Sequence, residues 1–337
     1  MRRLLLTAVC AIAVGLPLAA TSEEPASDPL IRLPALAKPK PTAATALGEL
    51  AQVAPGIATT GDAVVLEGRI LIESGPVDGM EVFACLEGGK YHESLVRLAT
   101  GNGQLVKFAV IRVLGLDDGQ PAAEGSGQPA RGVPLRVVLQ WPSPDDPATW
   151  LELDASCLVR DRVSDRAYPP LPFIYTGSRI QAVTETGPDG KPVKRERFML
   201  DSTKSVMVAF DEPDALLASP FPGANLDQRF EANSALTPPV GTPVRLVIRR
   251  AELPVTLTMD VAGTLRASEG GPALDDAALK AVLVTAFAGE RPGLRTLGVR
   301  VTDPATERSH DTAARQRLLA AAAEAGVWAV PVFVLTK

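Results

Sequence analysis

Proline and glycine interrupt this chain at 30 and 28 of its 337 positions, and the apolar runs between them are short. Such punctuation calls for many turns and stiff connectors, and it steers the first 250 residues toward strands. "AVVLEGRILIESG" (63–75) mixes Val64, Leu66 and Ile70 with polar residues and reads as one or two strands, with Gly68 breaking the pattern like a bulge. "MEVFACL", "VPLRVVLQW", "TWLELDASCLVRD", "PFIYTGSRI", "RERFMLD", "SVMVAFD" and "TPVRLVIRR" continue the strand reading. "GPDGKP" (187–192) stands where a hairpin turn is needed. One segment differs. "GQLVKFAVIRVLG" (103–115) is apolar nearly all round and ends in glycine, the pattern of a buried helix with a Gly C-cap. "DDGQPAAEGSGQPARG" (117–132) has the composition of a surface loop.

The pattern changes after "AELP" (251–254). "VTLTMDVAGTLRA" gives two short strands around Gly263. "DDAALKAVLVTAFAG" (275–289) is a helix with an acidic cap, "LRTLGVRVTD" a strand, "DTAARQRLLAAAAEAG" (311–326) a second helix capped at Asp311, and "VWAVPVFVL" a last strand. The fold class is therefore α+β: a mixed, strand-rich N-terminal domain over 61–250, followed by a small β-β-α-β-α-β domain over 251–337.

The N-terminus prepares export. Arg2 and Arg3 precede an apolar stretch from Leu4 to Ala20, then small residues and the acidic Glu23 and Glu24. That order describes a signal peptide over 1–22, cleaved near Ala20 or Ser22, and places the mature chain in the periplasm or outside the cell; the alternative reading is an uncleaved anchor, for which the stretch is short. No other stretch is long and apolar enough to span a bilayer. Residues 23–60, with "AKPKPTAA" and no lasting apolar period, read as a Pro/Ala-rich linker in which 43–53 has the makings of a short helix. The formal charge is −5, about −7 without the leader, and no basic run is long enough to neutralise a phosphate backbone, so nucleic acid is not an expected partner.

Reactive residue types are scarce: three cysteines, one of them in the leader, and two histidines. "FACLEGGKYHESLVRL" (83–98) holds Cys85, Glu87, Lys90, His92 and Glu93. If the EGGK turn makes a hairpin, His92 comes near Cys85, and a Cys–His pair is the arrangement that activates a thiol. Cys85, His92 and Glu93 are thus the catalytic candidates. A cysteine at the end of an apolar strand equally packs as a small hydrophobe, and export permits a bridge to Cys157; the three readings stay open. Glu87 and Lys90 on the same turn are the candidates for holding a polar ligand. A metal would find at most three ligands here, with neither CxxC nor HxxxH spacing, so no metal or other cofactor is expected. No GxSxG elbow occurs, and "GNGQLV" (101–106) lacks the phosphate-loop lysine and reads as a helix start. Asp211, Glu212 and Asp214 in "DEPDALL" read as a cap, and His310 as a solvated loop residue.

Two family resemblances accompany these segments. "VFACLEGGKYHESLV", "PFIYTGSRI", "MLDSTKSVMVAFDEPDALLASPF" and "PPVGTPVRLVIRR" give residues 62–250 a likeness to the YdjY-like proteins, an exported bacterial family of planctomycete type. The resemblance implies a compartment and a boundary, with no activity attached. The family pattern carries the equivalents of Cys85 and His92 but not of Cys157. "LTMDVAGTLRASEGGPALDDAALKAVL", "VRVTDP" and "AARQRLLAAAAEAGVWAVPVFV" make 253–337 resemble the ExbD/TolR periplasmic domain. Members carry a transmembrane helix just before that domain and this chain does not, so proton-driven coupling is not implied. What carries over is a small domain that dimerises or binds near peptidoglycan. The combined expectation is a non-enzymatic envelope binding or assembly module. Its expected partners are an envelope protein or cell-wall component, with a homodimer through 251–337. The alternative is a thiol-dependent enzyme or redox protein centred on Cys85 and His92, and a third reading is a purely structural partner that dimerises through the C-terminal domain.

Overall fold

Eight strands close into a ring. The computed structural model describes residues 33–73, 79–117, 119–121, 127–186, 188–226, 228–253, 256–289 and 294–335; the expected signal peptide and the start of the linker lie outside them. The ring strands, in chain order, are β1 (Val64–Ile70), β2 (Val82–Cys85), β3 (Ser94–Leu98), β4 (Val133–Pro142), β5 (Phe173–Tyr175), β6 (Ser205–Val208), β7 (Leu217–Ala218) and β8 (Pro243–Arg250). Around the ring they run β4-β5-β7-β6-β2-β3-β1-β8, and β8 returns to β4. Closure rests on β8, which pairs antiparallel with β1 (Leu246 opposite Leu66) and with β4 (Val247 opposite Val138). All neighbours are antiparallel except β7 with β6 and β2 with β3.

Alternation along each strand sorts residues to the two sides of the wall. Val64, Leu66 and Ile70 of β1, Leu135, Val137 and Leu139 of β4, and Val244, Leu246 and Ile248 of β8 join the main core. Gly68 sits in regular register opposite Leu98 and Val244, not in a bulge. A Cβ there would lie 2.5 Å from the Arg97 carbonyl oxygen, so the glycine permits close approach of the β3 backbone.

Helix α1 (Gly103–Leu114) packs against β1 and β8. Asn102 caps it by accepting from Leu105 N, and Gly115 ends it in the left-handed conformation. It is buried on one face only, since Phe108 remains exposed on the other. A two-stranded hairpin, Ile180–Thr186 with Pro192–Phe198, turns at the expected place, and a one-turn helix, α2 (Leu200–Thr203), follows it. In the Pro/Ala-rich segment, Leu33 is buried, and Ala51–Ala54 and Ile57–Thr59 extend the sheet beside β1. No helix forms over 43–53, because the sheet edge offers its backbone partners instead.

The C-terminal order is β9 (Thr256–Met259), β10 (Leu265–Arg266), α3 (Asp276–Phe287), β11 (Thr296–Val301), α4 (Arg308–Ala325) and β12 (Val330–Leu335), in a sheet ordered β10-β9-β11-β12. Asp275 caps α3 through Ala278 N. The start of α4 differs from expectation. The helix begins at Arg308, and Asp311 lies within its first turn, completely buried. Its carboxylate accepts from Arg131 Nε at 2.6 Å and Nη2 at 2.9 Å. The segment preceding β4 is accordingly not all surface: Arg131 is 1 % exposed and also donates to the Thr306 carbonyl. Gly132 N donates to Phe333 O, and Val332 packs with Ala130, Ile174 and Ala218. One apolar core runs from the ring into this sheet, with Tyr168 edge-on to Trp328. No helix among the described residues is long and apolar enough to cross a membrane.

Candidate functional site

The stretch Phe83 to Leu98 does not form a hairpin. β2 and β3 are parallel neighbours, with Val82 opposite Ser94 and Cys85 opposite Arg97. Parallel strands require the chain to travel back along the sheet before the second strand begins. Here residues 86–93 make that return, ending in a single 3-10 turn, Tyr91–Glu93. Two glycines let it lie flat. Gly88 has φ +81°, and a Cβ on Gly89 would approach Cys85 Cβ to 2.8 Å. The Tyr91 hydroxyl accepts from Gly88 N at 2.7 Å and fixes the turn.

Cys85 is consequently roofed over. It is fully buried with Val82, Val208 and Ala215, and Leu71 and Tyr91 pack against the group. Burial pushes its thiol pKa up, against weaker opposing effects of Ser94 and Arg97. A buried neutral thiol is a poor nucleophile. The His92 side chain is 78 % exposed and its Nε2 lies 2.9 Å from Glu93 Oε1. The parallel return thus puts Arg97, and not His92, opposite Cys85. Cys157 is a second free, buried thiol, in the main core, so the two cysteines are not bridged. Burial pushes the Cys157 thiol far up as well.

The same return assembles a charged cluster around Lys90. Its Nζ lies 3.3 Å from Glu81 Oε2 and 3.5 Å from Glu93 Oε2. Glu212 comes from the loop after β6. Burial raises the pKa of Glu212, and Lys90 only partly offsets it. Burial, then the neighbouring Glu93, raises Glu81. Burial opposes the charge on Lys90, but Glu212, Glu81 and Glu93 outweigh it and its pKa is raised. Lys90 is therefore a held ammonium, paired with Glu81 and Glu93. Among the described residues no group of three or more His, Cys, Asp and Glu side chains is placed to hold a metal ion.

Glu87, the other ligand candidate, turns away from Lys90. It is exposed and lines a separate cleft with Arg69, Arg97, Arg245 and Trp150. No helix follows "DEPDALL", so the acidic run is not a cap. Glu212 faces Lys90 and Asp214 pairs with Arg179. His310 is not in a solvated loop but in the first turn of α4, packed where a Cβ on Gly263 would meet its ring at 2.9 Å.

Sequence reasoning missed Glu81 and the three arginines. Glu81 sits just before an apolar strand and carries no local mark. The arginines become neighbours only through strand register. Their outward positions in alternating strands are the one signal available beforehand.

The chain matches no protein-family model, no curated protein and no solved structure.

Proposed function

We propose that this chain is an exported binding or assembly module of the cell envelope that performs no covalent chemistry of its own. In this reading 61–250 and 251–337 are its two functional parts, the first akin to the YdjY-like proteins and the second to the ExbD/TolR periplasmic domain. Its partner is an envelope protein or cell-wall component, and 251–337 supplies the contact for a homodimer. The observation that supports this is the separation of Cys85 from His92: the thiol is roofed by Tyr91 and kept neutral by burial, while the imidazole points to solvent. A catalytic cysteine needs a base within hydrogen-bond reach and a lowered pKa, and neither condition is met.

The test is thiol labelling of the purified native protein at neutral pH, with the labelled residue located by mass spectrometry. Labelling of Cys85 only after unfolding is the expected result. Rapid labelling in the native state would overturn the reading in favour of a thiol-dependent enzyme or redox protein.

A further inference from the structure

We propose that the cleft on the outer wall of β1, β3 and β8 binds a small, hydroxyl-rich ligand bearing one oxyanion, held by Arg69, Arg97 and Arg245 beside Trp150. The cleft measures about 500 Å³, within the range of small-molecule sites.

The argument begins with register. Arg97 on β3 stands directly opposite Arg69 on β1. Arg69 in turn faces Pro243 on β8, and Arg245 lies two residues further along the same face. Like charges directly opposite on neighbouring strands destabilise the pair, and arginine cannot relieve the repulsion by losing a proton. Two other arginines of the barrel pair with carboxylates, Arg136 with Asp154 and Arg249 with Asp62, while Arg250 donates to the Leu114 and Gly115 carbonyls. Among the described residues no carboxylate forms an ion pair with Arg69, Arg97 or Arg245.

Each guanidinium is nevertheless held in place. Arg69 Nη1 donates to the Gly241 carbonyl at 3.1 Å. Arg97 lies over the Tyr91 ring at 5.5 Å, and Arg245 over the Trp150 ring at 4.2 Å. These contacts use one donor or one ring face and leave the remaining N–H groups for a ligand. A planar fork of donors matches a carboxylate or phosphate in bidentate fashion.

Glu67 and Glu87 also line the cleft and define the rest of the ligand. Glu67 is opposite Arg245 in register, yet Arg245 stacks on Trp150 and no ion pair joins the two. Two free carboxylates disfavour a polyanion and accept hydrogen bonds from hydroxyl groups. The chemistry that fits is one oxyanion on a sugar-sized, hydroxylated body, such as a sugar acid or a sugar phosphate. This deepens the binding-module reading and rests on it.

The experiment is a titration of the purified full chain at low ionic strength, by calorimetry and by intrinsic tryptophan fluorescence, to which Trp150 contributes beside Trp141 and Trp328. The probes are glucuronic acid, glucose 6-phosphate, inorganic phosphate and neutral glucose. Saturable binding of glucuronic acid or glucose 6-phosphate, weakened about tenfold or more by Arg69→Gln with Arg97→Gln, is the expected result. Which of the two binds more tightly distinguishes carboxylate from phosphate. The ligand-free double variant should unfold at the same temperature as the native chain or higher, because the like-charge contact is gone. No binding of either acidic sugar, binding no weaker in the double variant, or glucose binding as well as the acids would each overturn the proposal. Inorganic phosphate binding as tightly as the sugar phosphate would overturn the assigned hydroxyl contacts. If Cys85 stays protected while no probe binds, only the site assignment fails and the module reading stands.

Discussion

The guanidinium of Arg131 and the carboxylate of Asp311 meet in a two-pronged, fully buried ion pair across 180 residues of sequence. Arg131 precedes β4 of the ring and Asp311 lies in α4, so this contact helps to tie the C-terminal part to the barrel, beside the shared apolar core. Losing one partner of a buried pair leaves an uncompensated charge and costs about 3–5 kcal/mol. Asp311→Leu should be the worse single change. It leaves Arg131 beside Arg308, whose Nε is 3.7 Å from the same carboxylate. Chemical denaturation of Arg131→Met, Asp311→Leu and their combination tests this. The combination should lie closer to the native chain than the sum of the two singles.

Because the core passes without a break from the ring into β11 and β12, unfolding should be a single cooperative event. Tryptophan fluorescence, to which Trp328 at that junction and Trp141 in the ring both contribute, should give the same midpoint as far-ultraviolet circular dichroism. Two separated transitions would show that the sheet and the barrel unfold independently.

Gly89→Ala places a methyl group 2.8 Å from Cys85 Cβ and 3.0 Å from Lys204 Cβ. Overpacking of this kind costs about 1–3 kcal/mol, readable as a lowered thermal midpoint. Alanine keeps the Cβ that collides, so Cys85→Ala should not rescue it.

The carboxyl of Glu212 is held above its ordinary value of 4.5, first by burial. A carboxyl with a raised pKa binds more protons folded than unfolded. Its contribution to stability is complete below the ordinary value and is lost as pH rises through the raised one. Glu212→Gln fixes the neutral form. The variant should match the native chain in acid and gain on it as pH climbs toward neutrality. Urea midpoints collected across that range decide the matter, and a Glu212→Gln midpoint that falls behind with rising pH would refute the assignment.

Features with local causes could be read from the residues alone. Asn102 and Gly115 delimit α1, Asp275 and Gly326 mark the start of α3 and the end of α4, and the turn near Asp189 sets its hairpin. The order of strands and helices after residue 255 is likewise written in its caps and periods. Features set by register were not legible. Nothing near Pro243 announces that β8 will pair on both sides, and nothing in the EGGK turn distinguishes a hairpin from a return to a parallel strand. Asp311 illustrates the conflict most clearly. Its residue type and position suit a helix cap, but a buried arginine far away in sequence takes the carboxylate, and the helix starts a turn earlier.

The seam at β8 has a bearing on how the molecule is made. Leu246 must find Leu66 and Val247 must find Val138, and no earlier segment can take their place. Until Arg250 has emerged, the nascent chain holds an open sheet whose two bare margins, β1 and β4, can join to other copies. Pairings between segments this distant in sequence form slowly. Whatever keeps those margins apart during synthesis sets the yield of finished protein more than any contact made after the clasp has shut.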